Sequence, residues 1–320
     1  MPLSTEASAI AAAEEVIRGA IRETPVDPDL QESAATGAEV FFKRENLQIT
    51  GSFKARGALH KLLCIGNQDL SAGVIAASSG NHGAAVAWAS ARLGCQATIY
   101  VPRHASAAKI DAIRNYGAEV RLHGDDCVEA EGQAREHAAL KGIPYISPYN
   151  DLEVMHGQGS VGVELQRQLE NLDAVFIALG GGGLIGGSGA YLKDVCPGIE
   201  IIASSPDRSP AMHRCLEVGE IIDVPCHATL SDGTAGGVEA GSVTFDVCQR
   251  VIDRSLLVSE EEIKACTADH IARHHQVIEG AAGVAIAGWR QVAGEFSSKR
   301  VAIVICGANI GIETLREVIG

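Results

Sequence analysis

The sequence Ala174-Val175-Phe176-Ile177-Ala178-Leu179-Gly180-Gly181-Gly182-Gly183-Leu184 joins an apolar run to four consecutive glycines. The apolar run has the length and composition of a buried β-strand, and a helical pattern at 186–194 follows the glycines. Glycines at such a junction let backbone N–H groups approach an anion closely, and the following helix N-terminus adds partial positive charge. The stretch therefore predicts a parallel α/β fold with a phosphate site at the end of this strand.

Strand and helix patterns alternate along the chain on both sides of this junction. Apolar, β-branched runs predict strands at 40–43, 73–77, 97–101, 118–122, 144–146, 174–179, 200–204 and 301–305. Residues at helical spacing predict helices at 7–22, 53–63, 83–93, 105–116, 125–140, 157–169, 186–194, 259–274 and 281–293. Continuous buried strands between helices of this length indicate an α/β protein of two lobes, each with a mainly parallel sheet covered by helices.

The composition argues against several classes of protein. A length of 320 residues provides ample core for one large or two moderate domains. The net charge of −14 disfavours nucleic acid or an anionic membrane surface as the main partner. The nine cysteines include no Cys-x-x-Cys pair, which is typical of free thiols in a reducing compartment. We find no membrane-spanning stretch, secretion signal or added regulatory domain in the sequence, and we expect a cytoplasmic protein.

The glycine run also matches the dinucleotide-binding pattern GxGxxG, at Gly181, Gly183 and Gly186. That pattern expects an acidic residue about twenty positions later, at the C-terminal end of the next strand. Glu200 has this spacing but begins its predicted strand, whose far end is Ser204-Ser205. We therefore favour a phosphate site of another kind. A purely structural turn is also disfavoured, because four glycines in a row cost conformational entropy.

A lysine between glycines, in Gly51-Ser52-Phe53-Lys54-Ala55-Arg56-Gly57, stands at the start of a predicted helix. Taken alone, Lys54 is a solvated lysine, although the macrodipole makes a helix N-terminus a poor place for a structural cation. A lysine that forms a Schiff base is neutralised and partly desolvated, and such a residue suits this position. We expect Ser52 to cap the helix, and Arg56 to lie at the surface or contact the other lobe.

Two polar turns complete the pattern. Ser78-Ser79-Gly80-Asn81-His82-Gly83 follows a predicted strand and opens a helix, where its donors either cap the helix or bind a substrate carboxylate. Cys306-Gly307-Ala308-Asn309 follows the last predicted strand. Cys306 is a core thiol by default, but the C-terminal end of a parallel strand is where such sheets place ligands. A reactive amine, a glycine-rich phosphate loop and two polar turns are the parts needed to hold pyridoxal phosphate.

Four motifs together resemble the serine/threonine dehydratase family, to which serine racemase also belongs. They are KRENLQITGSFK at 43–54, SGNHG at 79–83, GQG at 157–159 and GGGGL at 180–184. The resemblance covers residues 24–309 and implies the tryptophan-synthase-β fold, fold type II of the pyridoxal-phosphate enzymes. It further implies a large cofactor-binding domain at 1–65 and 145–320, a small domain at 66–144, and a homodimer.

The resemblance implies a role for each matching residue. Lys54 would be the Schiff-base lysine, and Asn81 the partner of the hydroxyl on the cofactor ring. Cys306 would face the pyridine nitrogen, as a neutral partner that favours prompt loss of a β-leaving group over carbanion storage. Further cofactor contacts are implied for Phe53, Gly180, Gly181, Gly182, Gly183, Leu184 and Glu279. Substrate contacts are implied for Ser78, Ser79, Asn81 and His82.

Two regions depart from the family pattern. Family members with a divalent-cation site have acidic ligands where this chain has Ser205 and Ala211, so we expect no metal site there. The stretch Ser231-Asp232-Gly233-Thr234-Ala235-Gly236-Gly237-Val238-Glu239 lacks the usual basic residue, which leaves open a substrate other than threonine. In this stretch the chain resembles the dehydratase-like branch associated with hydroxyectoine breakdown.

Two further side-chain patterns have alternative interpretations. Ser79 matches the serine that acts as the second acid/base of serine racemase, but a carboxylate-binding hydroxyl or a helix cap explains it as well. His270 and His274 lie at i and i+4 on a predicted helix, the spacing of a metal-binding pair. Because the sequence shows no third ligand, we interpret them as packed or solvated histidines.

The sequence as a whole predicts a pyridoxal-phosphate-dependent ammonia-lyase. Its substrate would be a small β-hydroxy amino acid, similar to threonine, serine or hydroxyaspartate, and its products a 2-oxo acid and ammonia. The first alternative is an amino-acid racemase that uses Lys54 and Ser79 on opposite faces of the substrate. From another class, a nucleotide-binding oxidoreductase or a non-catalytic binding protein built on the same sheet remains an alternative.

Overall fold

The computed structural model describes residues 2–320, apart from the side chains of Asn67 and Gln68. Its strands are β1 (Val26–Pro28), β2 (Glu39–Lys43), β3 (Val74–Ala77), β4 (Ala97–Val101), β5 (Glu119–Leu122), β6 (Ala174–Ala178), β7 (Glu200–Pro206), β8 (Arg254–Val258) and β9 (Arg300–Val304). Its α-helices are α1 (Leu3–Ile17), α2 (Leu30–Thr36), α3 (Lys54–Ile65), α4 (Asn67–Leu70), α5 (Asn81–Leu93), α6 (Ala107–Asn115), α7 (Cys127–Lys141), α8 (Leu152–Gln168), α9 (Gly183–Val195), α10 (Ala211–Val218), α11 (Val243–Val251), α12 (Glu260–His274), α13 (Gly280–Val292) and α14 (Ile312–Ile319). Within residues 2–320, no helix has both the length and the apolar character that crossing a bilayer requires.

The strands form two sheets. The larger has the order β1-β2-β9-β6-β7-β8, and only its β1–β2 pair is antiparallel. The smaller is parallel, with the order β3-β4-β5, and Tyr145 adds an isolated parallel bridge to Ile75. These sheets confirm the predicted α/β class. The domain division at 65/66 and 144/145 remains a proposal, supported by the strands of the smaller sheet, which all lie within residues 74–122.

Strand β6 is the buried centre of the larger sheet. All five of its residues are buried, and Phe176 packs edge to face against Trp289 of α13, with ring centroids 5.3 Å apart. A fully covered parallel strand is held by close packing on both faces. Because β6 leads directly into the glycine run, this packing fixes where the glycine loop begins.

Glycines allow α8 to pass very close to two other helices. A Cβ added to Gly157 would lie 2.7 Å from the carbonyl oxygen of Arg56 in α3. A Cβ added to Gly159 would lie 2.9 Å from the backbone of Gly187 in α9. Helix α8 therefore lies between the helix that begins at Lys54 and the helix that follows the glycine run.

The main differences from the prediction concern the starts of helices and an edge strand. Helix α8 begins at Leu152 rather than 157, because the Asp151 side chain caps it by accepting from the Val154 N–H. Helix α9 begins within the glycine run, at Gly183. The pattern also missed β1, α2, α10, α11, α14 and β8; the last of these lies at the edge of the sheet and is only partly buried, so its hydrophobic signal is weak.

The expectations for Arg56 and Ser52 were wrong. Arg56 is fully buried, and its guanidinium donates to both carboxylate oxygens of Glu45, at 2.7 Å each, and to Glu164 at 2.6 and 2.9 Å. Fully charged groups remain in a protein interior when they are paired in this way. Ser52 is also buried, but its hydroxyl caps no helix, and Phe53 occupies the N-cap position of α3.

Candidate active site

The predicted site residues lie at the starts of helices and the end of a strand. Lys54 is the first residue of α3, Asn81 is the first of α5 and Gly183 is the first of α9. Cys306 follows β9, two residues after the strand ends. Helix N-termini and the carboxyl ends of parallel strands are the usual positions of ligand sites in α/β proteins. The contacts described below link these segments to one another.

The Lys54 side chain is half-buried, and its amine has no ion-pair partner among the described residues. Its Nζ donates to the carbonyl oxygen of Pro148 at 2.7 Å and lies 5.2 Å from the centroid of the Phe53 ring. Burial lowers the pKa of Lys54 to about 8, although the charges of Glu279 and Cys306 oppose this shift. A lysine with such a pKa is partly unprotonated near neutral pH, and the unprotonated amine is the nucleophilic and basic form.

The buried carboxyl group of Glu279 accepts from two of the candidate residues, Asn81 and Cys306, and from Asn309. The Asn81 amide nitrogen donates to both carboxylate oxygens at 2.9 Å, and the Asn309 backbone N–H donates at 3.1 Å. The Cys306 thiol donates to Oε1 at 3.7 Å. Glu279 is only 2% exposed, and burial raises its pKa to about 7. The resemblance implied that Glu279, Asn81 and Cys306 lie near one cofactor ring, and in the structure Asn81 and Cys306 each contact Glu279.

Cys306 is a neutral thiol in this cluster. Burial is the main cause that raises its pKa well above the ordinary value, and the neighbouring Glu279 carboxylate raises it further. A Cβ on the following Gly307 would lie 2.7 Å from the Glu279 carboxyl group, so only glycine fits there. The last polar turn therefore places a neutral donor at the position that the resemblance assigns to the partner of the pyridine nitrogen.

The polar turn before α5 is held by its own side chains. Ser78 Oγ accepts from the Gly80 N–H at 3.1 Å, and His82 Nε2 donates to the carbonyl of Ile146 at 2.8 Å. Burial and the nearby Lys54 charge lower the pKa of His82 to about 3, so its ring is neutral. His82 thus anchors the turn, and the Ser79 side chain beside it is half-buried.

The glycine run has no room for larger residues. A Cβ on Gly180 would lie 2.8 Å from Thr234, and one on Gly181 would overlap the Tyr149 ring. Gly182 has a φ of +84°, a conformation that favours glycine, and Leu184 is buried in the first turn of α9. The loop is a close-fitting backbone cradle at the N-terminus of a 13-residue helix, and this arrangement suits the phosphate of pyridoxal phosphate.

Several neighbours of the site had no predicted role. The sequence gave no indication that Pro148 and Tyr149 lie at the site. Their contacts with Lys54 and Gly181 form only because the loop that contains them folds back onto α3 and the glycine run. Gln158 and Asn309 were within quoted motifs, and the structure places them beside Lys54's acceptor and Asn81, respectively. Their motif membership was the only signal that could have identified them.

The residues considered for metal binding have other partners. Within the described residues, no group of three or more His, Cys, Asp or Glu side chains has an arrangement that could hold a metal ion. Ser205 Oγ donates to the carbonyl of Leu179 at 3.0 Å. His270 is buried, its Nε2 lies 3.0 Å from an Arg44 nitrogen, and its ring packs against His274 at 4.4 Å. The interpretation of these two histidines as packed residues is confirmed.

Comparison with known proteins agrees with this geometry. Residues 17–307 match the family model described as pyridoxal-phosphate dependent enzyme. The L-threonine ammonia-lyase of Thermotoga maritima is 37% identical over 90% of this chain and 71% of its own length. The serine racemase of Schizosaccharomyces pombe is 34% identical over 95% of this chain and 94% of its own length. The solved structure of the processed form of threonine deaminase isoform 2 from Solanum lycopersicum is 34% identical, with a TM-score of 0.94 over 99% of this chain and 87% of that one.

These relatives bear directly on the predictions. Across the threonine ammonia-lyase and dehydratase relatives, the chain spans between 49% and 76% of their length. The predicted lyase class, the cofactor and fold type II are confirmed by their similarity, whereas the roles of individual residues are not tested by it. The chain therefore belongs to the family of pyridoxal-phosphate-dependent enzymes, in the serine/threonine dehydratase group that its motifs indicated.

Proposed function

We propose that this protein is a pyridoxal-phosphate-dependent ammonia-lyase that converts a small β-hydroxy amino acid to a 2-oxo acid and ammonia. The observation that carries the proposal is the Lys54 amine, which contacts no carboxylate among the described residues and whose pKa is lowered to about 8, in a site that also contains the neutral thiol of Cys306. The threonine ammonia-lyase relatives, at 35–37% identity over most of the chain, support the same reaction class.

The residues of the site fit pyridoxal phosphate, and different residues would bind different parts of it. Bound pyridoxal phosphate supplies an aldehyde that links to amino groups and a ring that withdraws electrons from the α-carbon. The N–H groups of the loop 180–184 would hold its phosphate. Asn81 would meet the ring hydroxyl, with its amide oriented by Glu279 at 2.9 Å.

Lys54 would move the proton at the substrate's α-carbon. Its amine, with a pKa of about 8, is partly unprotonated near neutral pH and can act as a base. The turn 78–82, whose own N–H groups lie at the start of α5, would hold the α-carboxylate. Because Cys306 is a neutral partner, we expect prompt loss of the β-hydroxyl rather than storage of negative charge on the α-carbon.

The test is the Lys54→Ala variant, compared with the wild-type holoenzyme. We expect the wild-type protein to show the visible absorbance of lysine-bound pyridoxal phosphate, to lose it on borohydride treatment, and to release ammonia from one or more of threonine, serine, hydroxyaspartate and larger β-hydroxy amino acids. Lys54→Ala should lack the borohydride-trapped label and lose at least about a thousandfold in kcat, because it removes both the linkage and the base. Absence of any such absorbance after adding the cofactor would disprove the proposal.

Racemisation is the second candidate, favoured by the serine racemase relative and by the half-buried Ser79 next to Gly80 and Asn81. If Ser79 carries a proton on the second face of the substrate, Ser79→Ala should abolish formation of the D-amino acid and leave oxo-acid release largely intact. If Ser79 only holds the carboxylate, both activities should fall together through a higher KM. The homodimer and the cytoplasmic location remain predictions.

A further inference from the structure

Gln158 lies at the hydrogen-bond acceptor of the reactive lysine. It belongs to α8, its side chain is completely buried, and its Nε2 is 3.4 Å from the carbonyl oxygen of Pro148. The same oxygen accepts the Lys54 Nζ at 2.7 Å. One backbone carbonyl therefore faces both the catalytic amine and a buried amide.

The other end of the Gln158 amide has no partner. Its Oε1 is buried and has no hydrogen-bond partner within the described part of the chain. A Cβ on Gly183 would lie 2.5 Å from this oxygen, so the amide reaches the first residue of the helix that follows the phosphate loop. An unpaired buried acceptor destabilises the fold, and such a group calls for an explanation.

A second lysine, Lys43 at the end of β2, also lies beside α8 and shows what the fully paired arrangement is like. Lys43 Nζ donates to the carbonyl of Thr24 at 2.8 Å and to Gln168 Oε1 at 2.8 Å. Gln168 Nε2 donates to the same Thr24 carbonyl at 2.9 Å. Lys43, the Thr24 carbonyl and Gln168 are thus hydrogen-bonded to one another, whereas near Lys54 the Gln158 oxygen has no partner among the described residues.

We propose that Gln158 is a positioning residue that, with the Pro148 carbonyl, forms the docking position of the free Lys54 amine. When the Lys54 nitrogen is bound covalently to the cofactor, it no longer donates to Pro148, and the contact of Gln158 Nε2 with that carbonyl remains. When the amine is free, as in this structure, it shares the Pro148 carbonyl with Gln158 Nε2, and a movement of the Gln158 amide would bring its open Oε1 to the protonated amine, as Gln168 Oε1 accepts from Lys43. The proposal rests on the role of Lys54 in the proposed function.

The first experiment uses Gln158→Met, which keeps the approximate volume and removes the amide, with Gln168→Met as the matched control. We expect the Gln158→Met holoenzyme to retain the lysine-bound cofactor, with a kcat about tenfold lower and a KM changed less than about twofold, because only the free amine loses its acceptor. The Gln168→Met holoenzyme should keep the wild-type kcat and KM.

The second experiment needs no turnover. In the cofactor-free protein, the pH dependence of Lys54 acylation by a limiting amount of acetic anhydride, read by peptide mass spectrometry, gives the pKa of the amine. Gln158→Glu should raise that pKa by about one unit or more, because it places a carboxylate beside the ammonium. Gln168→Glu, which places its charge beside Lys43 instead, should leave the pKa of Lys54 unchanged.

The two results together decide the proposal. Wild-type kcat in Gln158→Met, or an unchanged Lys54 pKa in a folded Gln158→Glu, would overturn it. Equal effects of the Gln168 variants would also overturn it, because they would indicate a general packing effect of α8. If wild-type protein binds the cofactor at Lys54 but releases no ammonia from any amino acid tried, the proposed function fails, and the acylation experiment still tests the role of Gln158.

Discussion

Lys43 is fully buried and Lys54 half-buried, and each donates to a backbone carbonyl beside a glutamine of α8. They differ in the charges that surround them. Lys43 forms an ion pair with Glu164 at 2.5 Å, inside a cluster that also contains Arg56 and Glu45. Among the described residues Lys54 contacts no carboxylate, and Glu279 influences it only from a distance. The two lysines therefore differ in direct counter-charge as well as in exposure, and this is the difference we expect between a structural lysine and the proposed Schiff-base lysine.

Burial acts on both lysines in the same direction. It lowers the pKa of Lys43 and the pKa of Lys54, and the two lysines differ in the negative charges that oppose this lowering. At Lys43 the opposition comes from Glu45 and from a carboxylate in hydrogen-bond contact, Glu164. At Lys54 it comes mainly from Glu279, whose carboxyl group is hydrogen-bonded to Asn81. The Lys43 amine is therefore held by a direct ion pair, whereas the Lys54 amine has the unpaired charge that its proposed role requires.

The largest effect that separates the two lysines is expected in stability. Lys43→Met removes one partner of a buried ion pair, which typically costs about 3–5 kcal/mol in the free energy of unfolding because a charge is left without its partner. We expect denaturant unfolding to show this loss. Acylation of Lys54 in the same variant should follow the wild-type pH dependence, since Lys43 has no contact with the site.

Additional variants test whether the destabilisation by Lys43→Met comes from the lost ion pair rather than from the changed size of the side chain. Glu164→Gln should also destabilise the protein, and the double variant should cost less than the sum of the two single changes, because both remove the same interaction. If Lys43→Met were as stable as the wild type, or if it shifted the pKa of Lys54, the division between structural and reactive lysine would not hold.

Glu279 gives the next largest effect, on the pH dependence of stability. In the folded cofactor-free protein the pKa of Glu279 is raised to about 7 from an ordinary value of 4.5, so the unfolded chain releases this proton at lower pH. The contribution of this group to stability is therefore lost as pH rises from about 4.5 to 7, and at roughly 1.4 kcal/mol per unit the loss reaches about 3 kcal/mol. Glu279→Gln should remove this slope.

The measurement is the difference between wild type and Glu279→Gln in the free energy of unfolding from pH 4 to pH 8. His82, whose folded pKa is lowered to about 3, contributes a slope of opposite sign below its ordinary pKa, and taking the difference cancels it. The variant should also lower the pKa of Lys54, because it removes the charge that opposes desolvation. Parallel stability curves for the two proteins would contradict the assignment of a raised pKa to Glu279.

The sequence singled out Lys54 and gave no role to Lys43, for a physical reason. Lys54 and the glycine run are local patterns, in which a strand, a turn and a helix start follow each other within a few residues. Glu164, the shared partner of Lys43 and Arg56, lies 121 and 108 residues from them, and only the packing of α8 brings it to them. Glycines at 157 and 159 lower the helix propensity of α8, so its first turn was not evident.

The smallest effect is expected at a third lysine, which has a carboxylate partner but is not buried. Lys109 Nζ lies 2.8 Å from an Asp232 oxygen, and the two side chains are 31% and 58% exposed. Exposed pairs of this kind contribute about 0–1 kcal/mol, because water replaces the lost partner and salt screens the charges. Lys109→Met should therefore change the free energy of unfolding by less than about 1 kcal/mol, and added salt should reduce even that difference. The ion pair of Lys109 is only slightly longer than that of Lys43. If Lys109→Met lowered the free energy of unfolding as much as Lys43→Met, the distance between the charges would determine the stabilisation by a lysine in this fold, and the shielding of its charge from water would not.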